Sequence, residues 1–336
     1  MERIKLCLIG CGGHAQKVYA DSIVKYMREF GDVELSACCD TDDEKALTFS
    51  EKTGFAHTYT DYNRMLDAEK PDAVILVTPF FYTAQIAVEV IGRGCHVMLE
   101  KPPGNNLADC MAIADAVKQH DPINLVAFNR RNMPMMKKLM ELIHGGEGRK
   151  PLNLQHIDYQ MYRYRRNAAY FHTTAIHGID MIGHIARSVY GKIGFEYADI
   201  ERYGEHATNF FLQGRFQNGV TTQQSYCRLS GMMMERITIA ADDVTIYAET
   251  PLWHGPDFPG MIKVYRDMAL ETQISGVALG GGQAMFETDG FYGQLCEFIG
   301  CVQSGRKTTN DIFSAIDSIK IADCLASRAS TYSADF

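Results

Sequence analysis

No apolar run in this sequence approaches the roughly 20 residues a helix needs to cross a bilayer, which excludes a helical membrane protein. Basic blocks are missing as well. With a net charge of -8 and only the short cluster Arg163 to Arg166, the chain would repel polyphosphate, so nucleic acid is not expected as a partner. Ten cysteines are present, but none is spaced as Cys-x-x-Cys, and several lie inside apolar segments (Cys7, Cys38, Cys39, Cys227, Cys324). They read as small buried hydrophobes in a reducing compartment, and no metal site is expected. The opening Met-Glu-Arg-Ile-Lys enters a strand without a signal-peptide core or small-residue cleavage site, so a cytoplasmic protein is expected.

What the chain has is length. Its 336 residues exceed one ordinary core, and 46% hydrophobic with 22% charged residues is the balance of a soluble globular protein, so two domains are expected, 1–127 and 128–336. The first half alternates strand and helix: strands at Ile4 to Ile9, Val33 to Cys39, Ala73 to Val77, Cys95 to Leu99 and Asn124 to Ala127. Helical periodicity lies between them, at Ala15 to Phe30, Asp42 to Thr53, Tyr62 to Asp67, Ala84 to Arg93 and Leu107 to Lys118. The fold class is α/β, with an N-terminal doubly wound parallel sheet of the Rossmann kind followed by an α+β domain built on a mainly antiparallel open sheet.

Between the first strand and helix stands Gly10-Cys11-Gly12-Gly13-His14-Ala15, a Gly-x-Gly-x-x-Ala turn. Gly10 suits a tight turn, Gly12 the approach of backbone to a pyrophosphate, and Ala15 close packing of helix on strand. Asp40 ends the second strand, where a carboxylate accepts hydrogen bonds from ribose hydroxyls and repels a 2′-phosphate, which favours NAD over NADP. Its other reading is an N-cap for the helix that follows. The run Val97 to Pro102 delivers Glu100 and Lys101 at a strand end, either as a solvated pair or at the rim where ligands bind in open α/β sheets.

Taken in order, the glycine turn, Asp40, Asp72 to Pro79, Gly-x-His-Val-x-x-Glu-Lys-Pro (Gly94 to Pro102) and Phe-Asn-Arg-Arg (Phe128 to Arg131) resemble the glucose-fructose oxidoreductase and myo-inositol dehydrogenase (Gfo/Idh/MocA) family. The resemblance covers nearly the whole chain. It implies that Lys101 lies beside the nicotinamide and the substrate carbinol, and that Thr78, Pro79, Glu100 and Asn129 line the cofactor cleft. Gly10, Gly12, Gly13, His14, Ala15, Asp40 and Phe80 complete the expected cofactor set. Where the family often has Thr-Pro-Asn-x-x-His, this chain has Thr78-Pro79-Phe80-Phe81-Tyr82-Thr83, an aromatic loop expected to alter packing around the cofactor.

From Leu152 the pattern turns to strands, at Leu152 to Met161, Ile193 to Tyr203, Asn209 to Phe216, Val220 to Leu229, Ile237 to Ala241, Val244 to Ala248 and Ile262 to Tyr265. Two helices close the chain, at Gly290 to Cys301 and Asp311 to Ser327, and Gly280-Gly281-Gly282 reads as a loop. A helix from Thr173 to Ser188 puts Ile176, Ile179, Ile182 and Ala186 on one face and Thr173, His177, Asp180 and His184 on the other, a stripe that is either solvated or functional. His177 and His184 lie about 10 Å apart along the axis, too far to share one metal ion.

The resemblance implies a catalytic Asp-x-x-x-His pair on this helix, in which His177 matches the histidine and Thr173 replaces the aspartate. Arg163 to Arg166 and the tyrosines around them form either an edge strand with solvated charges or a grip on a polyhydroxylated or acidic substrate. Arg131, Tyr159, Arg163, His172 and Asp180 are the expected substrate residues, with Lys101, His177 and Thr173 catalytic. The function expected is hydride transfer between NAD and a secondary alcohol of a sugar, cyclitol or related polyol, by a homodimer or homotetramer. The alternatives are a lyase or deglycosylating enzyme that oxidises its substrate transiently, and a dinucleotide-dependent sensor without turnover.

Overall fold

The computed structural model describes residues 3–146, 148–204, 207–280 and 282–334. The chain divides into two compact units: Met1–Asn129 with Phe291–Ile316, and Arg130–Gly290 with Asp317–Phe336. Among the described residues no helix is long and apolar enough to cross a membrane.

The first unit holds a six-stranded parallel sheet of β1 (Ile4–Ile9), β2 (Val33–Cys39), β3 (His57–Tyr59), β4 (Ala73–Leu76), β5 (His96–Leu99) and β6 (Asn124–Val126), in the order 3-2-1-4-5-6. Both β4 and β6 are buried along their whole length, the mark of strands covered on two faces by crossover helices. The order reverses between β1 and β4, so the carboxyl ends of these strands open a crevice at the switch point. Asp42, Asp61 and Asn106 cap the helices Asp43–Thr53, Tyr62–Glu69 and Leu107–His120 with side-chain oxygens. Each cap is worth about 1 kcal/mol.

Two features differ from the sequence reading. Phe80, Phe81 and Tyr82 form the first turn of the helix Phe80–Gly92 rather than a loop, because Pro79 (φ -55°) stands at its N-terminal flank with the angle already set. The segment 291–316 packs with the first unit instead of the second. Its helix Phe291–Ser304 buries Phe291, Leu295, Phe298 and Ile299, and the following turn bonds to β6: Val126 N donates to the Asn310 carbonyl at 2.7 Å, and Ile312 N to Asn124 Oδ1 at 2.8 Å.

The second unit holds nine strands: β7 (Leu154–Tyr164), β8 (Tyr190–Asp199), β9 (Thr208–Phe216), β10 (Thr221–Ser230), β11 (Met234–Ala241), β12 (Val244–Glu249), β13 (Met261–Arg266), β14 (Ala269–Ser275) and β15 (Thr331–Ser333). Their order is 14-13-12-11-7-10-9-8-15, and every pairing is antiparallel except β7 with β10. Burial alternates along β7, so one face carries Ile157, Tyr159 and Met161 into a core shared with the helices Pro134–His144 and His172–Ala186 and with Ile321 and Leu325. The strand before the arginine cluster is thus central, not an edge. Gly281 of the glycine triplet lies outside the described residues.

Candidate active site

Gly10 must be glycine. Its φ is +98°, and a Cβ there would lie 2.4 Å from the Val77 carbonyl oxygen, where β1 meets the end of β4. At Gly12 and Gly13 a Cβ would meet nothing within 4 Å, so the backbone after β1 is open on that side. The helical segment then begins with a wide π turn, Ala15–Tyr19, before continuing as Ala20–Glu29. Ala15 is fully buried, as close packing of this segment requires.

Asp40 sits at the same end of the sheet. Its Oδ2 accepts from Cys11 N at 2.8 Å and its Oδ1 from Asp42 N at 3.0 Å, while Asp42 itself caps the next helix. The N-cap reading of Asp40 is thereby displaced. Thr78, half-buried, shares a 3.1 Å hydroxyl contact with buried Thr83, and the Phe80 and Phe81 rings lie 4.0 Å apart by centroid. Asn129, buried, opens the 3₁₀ turn Asn129–Asn132.

At the end of β5, Glu100 is almost fully buried and its carboxylate is gripped from three sides. His14 Nε2 lies 3.1 Å from Oε1, the Tyr19 hydroxyl donates to Oε1 at 2.7 Å, and Lys101 N donates to Oε2 at 3.2 Å. Gln294 Nε2 donates in turn to the Tyr19 oxygen at 3.3 Å. Burial opposes the charge on Glu100, but His14, Lys101 and Tyr19 outweigh it and hold the carboxyl below its ordinary pKa. Tyr19 is pushed up by burial and by the Glu100 charge. Glu100 is therefore not a solvated pair with Lys101; it ties the glycine turn to the strand end that carries the half-buried Lys101. Sequence reasoning missed Tyr19 and Gln294, which no motif marks.

In the second unit the helix His172–Ala186 is buried nearly all round from Ala175 onward, His177 and Asp180 included, so the polar stripe is not a solvated face. Thr173 is half-buried, and its hydroxyl donates to the Tyr170 carbonyl at 2.7 Å. Burial lowers the pKa of His172. Asp180 accepts a two-pronged bond from Arg131, Nε to Oδ2 at 2.8 Å and Nη2 to Oδ1 at 2.5 Å, and Ser318 Oγ adds a third contact at 3.3 Å. Burial holds its carboxyl above the ordinary range even with the Arg131 fork closed on it.

Arg163 is also buried, and it shares Glu235 with Arg130: Arg130 Nη2 donates to Oε1 at 2.9 Å, and Arg163 Nη2 donates to the same oxygen. Burial works against the Glu235 charge, yet the two guanidinium groups bring its pKa down to about 2. Tyr159 lies fully buried against the same group. The structure thus brings Arg131 together with Asp180, and Tyr159 with Arg163, while turning all four inward. Glu235 and Ser318 were not legible from motif or spacing. Among the described residues no group of three or more His, Cys, Asp or Glu is placed to hold a metal ion.

Residues 4–128 match the Gfo/Idh/MocA model, described as an oxidoreductase family with an NAD-binding Rossmann fold. This part of the chain is thus similar to the dinucleotide-binding fold of that oxidoreductase family. Over 143 residues the chain is 30% identical to the D-glucoside 3-dehydrogenase of Escherichia coli, covering 43% of this chain and 40% of that one. Over 125 residues it is 28% identical to the myo-inositol 2-dehydrogenase of Thermotoga maritima, covering 37% of each. The chain thus matches under half the length of these curated relatives. The solved structure of a dehydrogenase from Chromobacterium violaceum shares the fold at a TM-score of 0.83, with 17% identity over 98% of this chain and 96% of that one.

Proposed function

We propose that this protein is an NAD-dependent dehydrogenase acting on a secondary alcohol of a sugar, cyclitol or related polyol. The observation that carries the reading is the joining of three elements at one end of the parallel sheet: the open glycine turn, Asp40 bonded to Cys11 N, and Glu100-Lys101 held to that turn through His14 and Tyr19. The names of the relatives, a glucoside and an inositol dehydrogenase, support the substrate class.

The residues fit a dinucleotide. Backbone N–H groups at Gly12, Gly13 and His14 would face its pyrophosphate. Asp40 would take its ribose hydroxyls, with one carboxylate oxygen turned to Cys11 N and the other to Asp42 N, and it favours NAD over NADP. Thr78, Pro79, Phe80, Glu100 and Asn129 would line the remainder. When bound, the cofactor supplies the hydride acceptor. In this reading the His177 imidazole takes the proton of the substrate hydroxyl, and the Lys101 ammonium at Nζ stabilises the developing alkoxide or relays the proton.

Thr173 favours one second reading, a sensor that binds the dinucleotide without turnover, since its hydroxyl is committed to the Tyr170 carbonyl and brings no charge to His177. Absorbance at the reduced-nicotinamide band, followed through a panel of sugars and cyclitols, separates the two. NAD binding with no redox change against any polyol favours the sensor. A homodimer or homotetramer formed through the open face of the nine-stranded sheet, and a cytoplasmic setting for its ten cysteines, complete the proposal.

A further inference from the structure

We propose that Arg131 and Tyr159 are positioning residues for His177, a role that rests on the dehydrogenase reading above. An aspartate one turn before His177 would orient its ring by charge; here position 173 is threonine and its hydroxyl proton goes to Tyr170. Asp180, one turn after, does not take over that task. Its oxygens are engaged by Arg131 and Ser318.

The second unit holds the helix at two points just after the histidine, on the backbone at the next residue and on a side chain three residues on. At the next residue, a Cβ on Gly178 would lie 2.2 Å from Tyr159 Cε1 and 2.8 Å from its hydroxyl oxygen, so the Tyr159 ring rests directly on the helix backbone where only glycine admits it. Three residues after His177, the planar fork of Arg131 grips Asp180 in two places, and fork-to-carboxylate pairs fix direction as well as distance. The two contacts share one frame. Arg130, next in sequence to Arg131, holds Glu235 of β11, and so does Arg163, four residues beyond Tyr159 on β7. The helix turn bearing His177 is thus referenced to two central strands and to one 3₁₀ turn. Together these contacts fix the stretch of helix that carries the imidazole.

The test is a double-mutant cycle in kcat and KM. Arg131→Met should lower kcat by about 10- to 100-fold with KM within about threefold, and it should cost nothing further in a His177→Ala background. Arg131→Lys keeps the charge without the fork and should fall between wild type and Arg131→Met; it also serves if Arg131→Met does not fold. An unchanged kcat, or an equal loss in both backgrounds, overturns the proposal. A second readout is independent of turnover: the His177 ring resonances in histidine-labelled protein, assigned by their loss in His177→Ala, should shift or split in the folded Arg131 variant. A signal that stays in place overturns the proposal even where no polyol is oxidised, whereas a shifted signal without turnover keeps the positioning role and sinks only the dehydrogenase reading.

Discussion

Asp40 Oδ2 accepts the backbone N–H of Cys11 at 2.8 Å, so the acid that ends the second strand is bonded to the middle of the glycine turn. Asp40→Ala should therefore do two things at once: weaken NAD binding, and narrow any preference over NADP. Titration of reduced-cofactor fluorescence measures both. A wild-type protein that binds NADP more tightly than NAD would show that the carboxylate serves the turn alone.

Lys101→Met keeps the length of the stem but has no proton to move. Turnover should fall by roughly 100-fold or more, with little change in NAD affinity. Steady-state kinetics together with the same fluorescence titration check this. Comparable turnover in the variant would remove Lys101 from the chemistry.

His177→Ala should reduce turnover strongly and Thr173→Ala only mildly. The Thr173 hydroxyl makes one neutral bond to Tyr170, whose loss costs about 1 kcal/mol, under tenfold in rate. If His177→Ala is silent in a working enzyme, the buried histidine is part of the core and nothing more.

The buried acids of the second unit give stability a pH dependence of two signs. Glu235, at about 2, contributes stability above the ordinary carboxylate range, and this is lost as pH falls from about 4.5 towards 2. Asp289, buried and accepting from Trp253 N at 2.8 Å, is pushed up to about 7 by burial against the pull of that bond and of Arg130. The folded state then binds more protons than the unfolded one between about pH 4 and 7, so stability falls as pH rises through that window. Asp289→Asn should raise the Tm at pH 8 and leave it nearly unchanged at pH 4. Glu235→Gln, which leaves two buried guanidinium groups short of their anion, should cost about 3 to 5 kcal/mol in denaturant unfolding. A Tm difference that does not change with pH in Asp289→Asn would show that this carboxyl does not titrate across that window.

Five strands of the first sheet were legible because they are short apolar runs broken by residues of special conformation, and Gly10, Asp40 and Glu100-Lys101 each stand at such a break; the edge strand β3, His57-Thr58-Tyr59, is exposed to half-buried with no apolar run and was missed. The second sheet was read strand by strand up to β13, where alternation is clear. Beyond that the signal fails for a physical reason: β14 and β15 are edge strands, mostly exposed or half-exposed, and carry no apolar face to betray a period of two. The helix Pro134–His144 has apolar residues at helical spacing and a proline at its first position, but it falls between the motif ending at Arg131 and the strands beginning at Leu152, and no site pointed to it. Buried polar partners are the other gap. Glu235 lies 105 residues from Arg130, and Gln294 lies 275 from Tyr19, distances at which no local pattern can announce a contact.

The return of residues 291–316 to the first unit bears on how the chain is made. A ribosome working from the N-terminus delivers the parallel sheet early, but the strand β6 must wait for Asn310, and Tyr19 for Gln294, until nearly the whole of the second unit has been synthesised. Domains ordinarily fold in the order they emerge. Here the nucleotide-binding unit is begun first and closed late, so a nascent chain stalled before residue 291 carries its sheet without the helix that buries Phe291, Leu295 and Phe298.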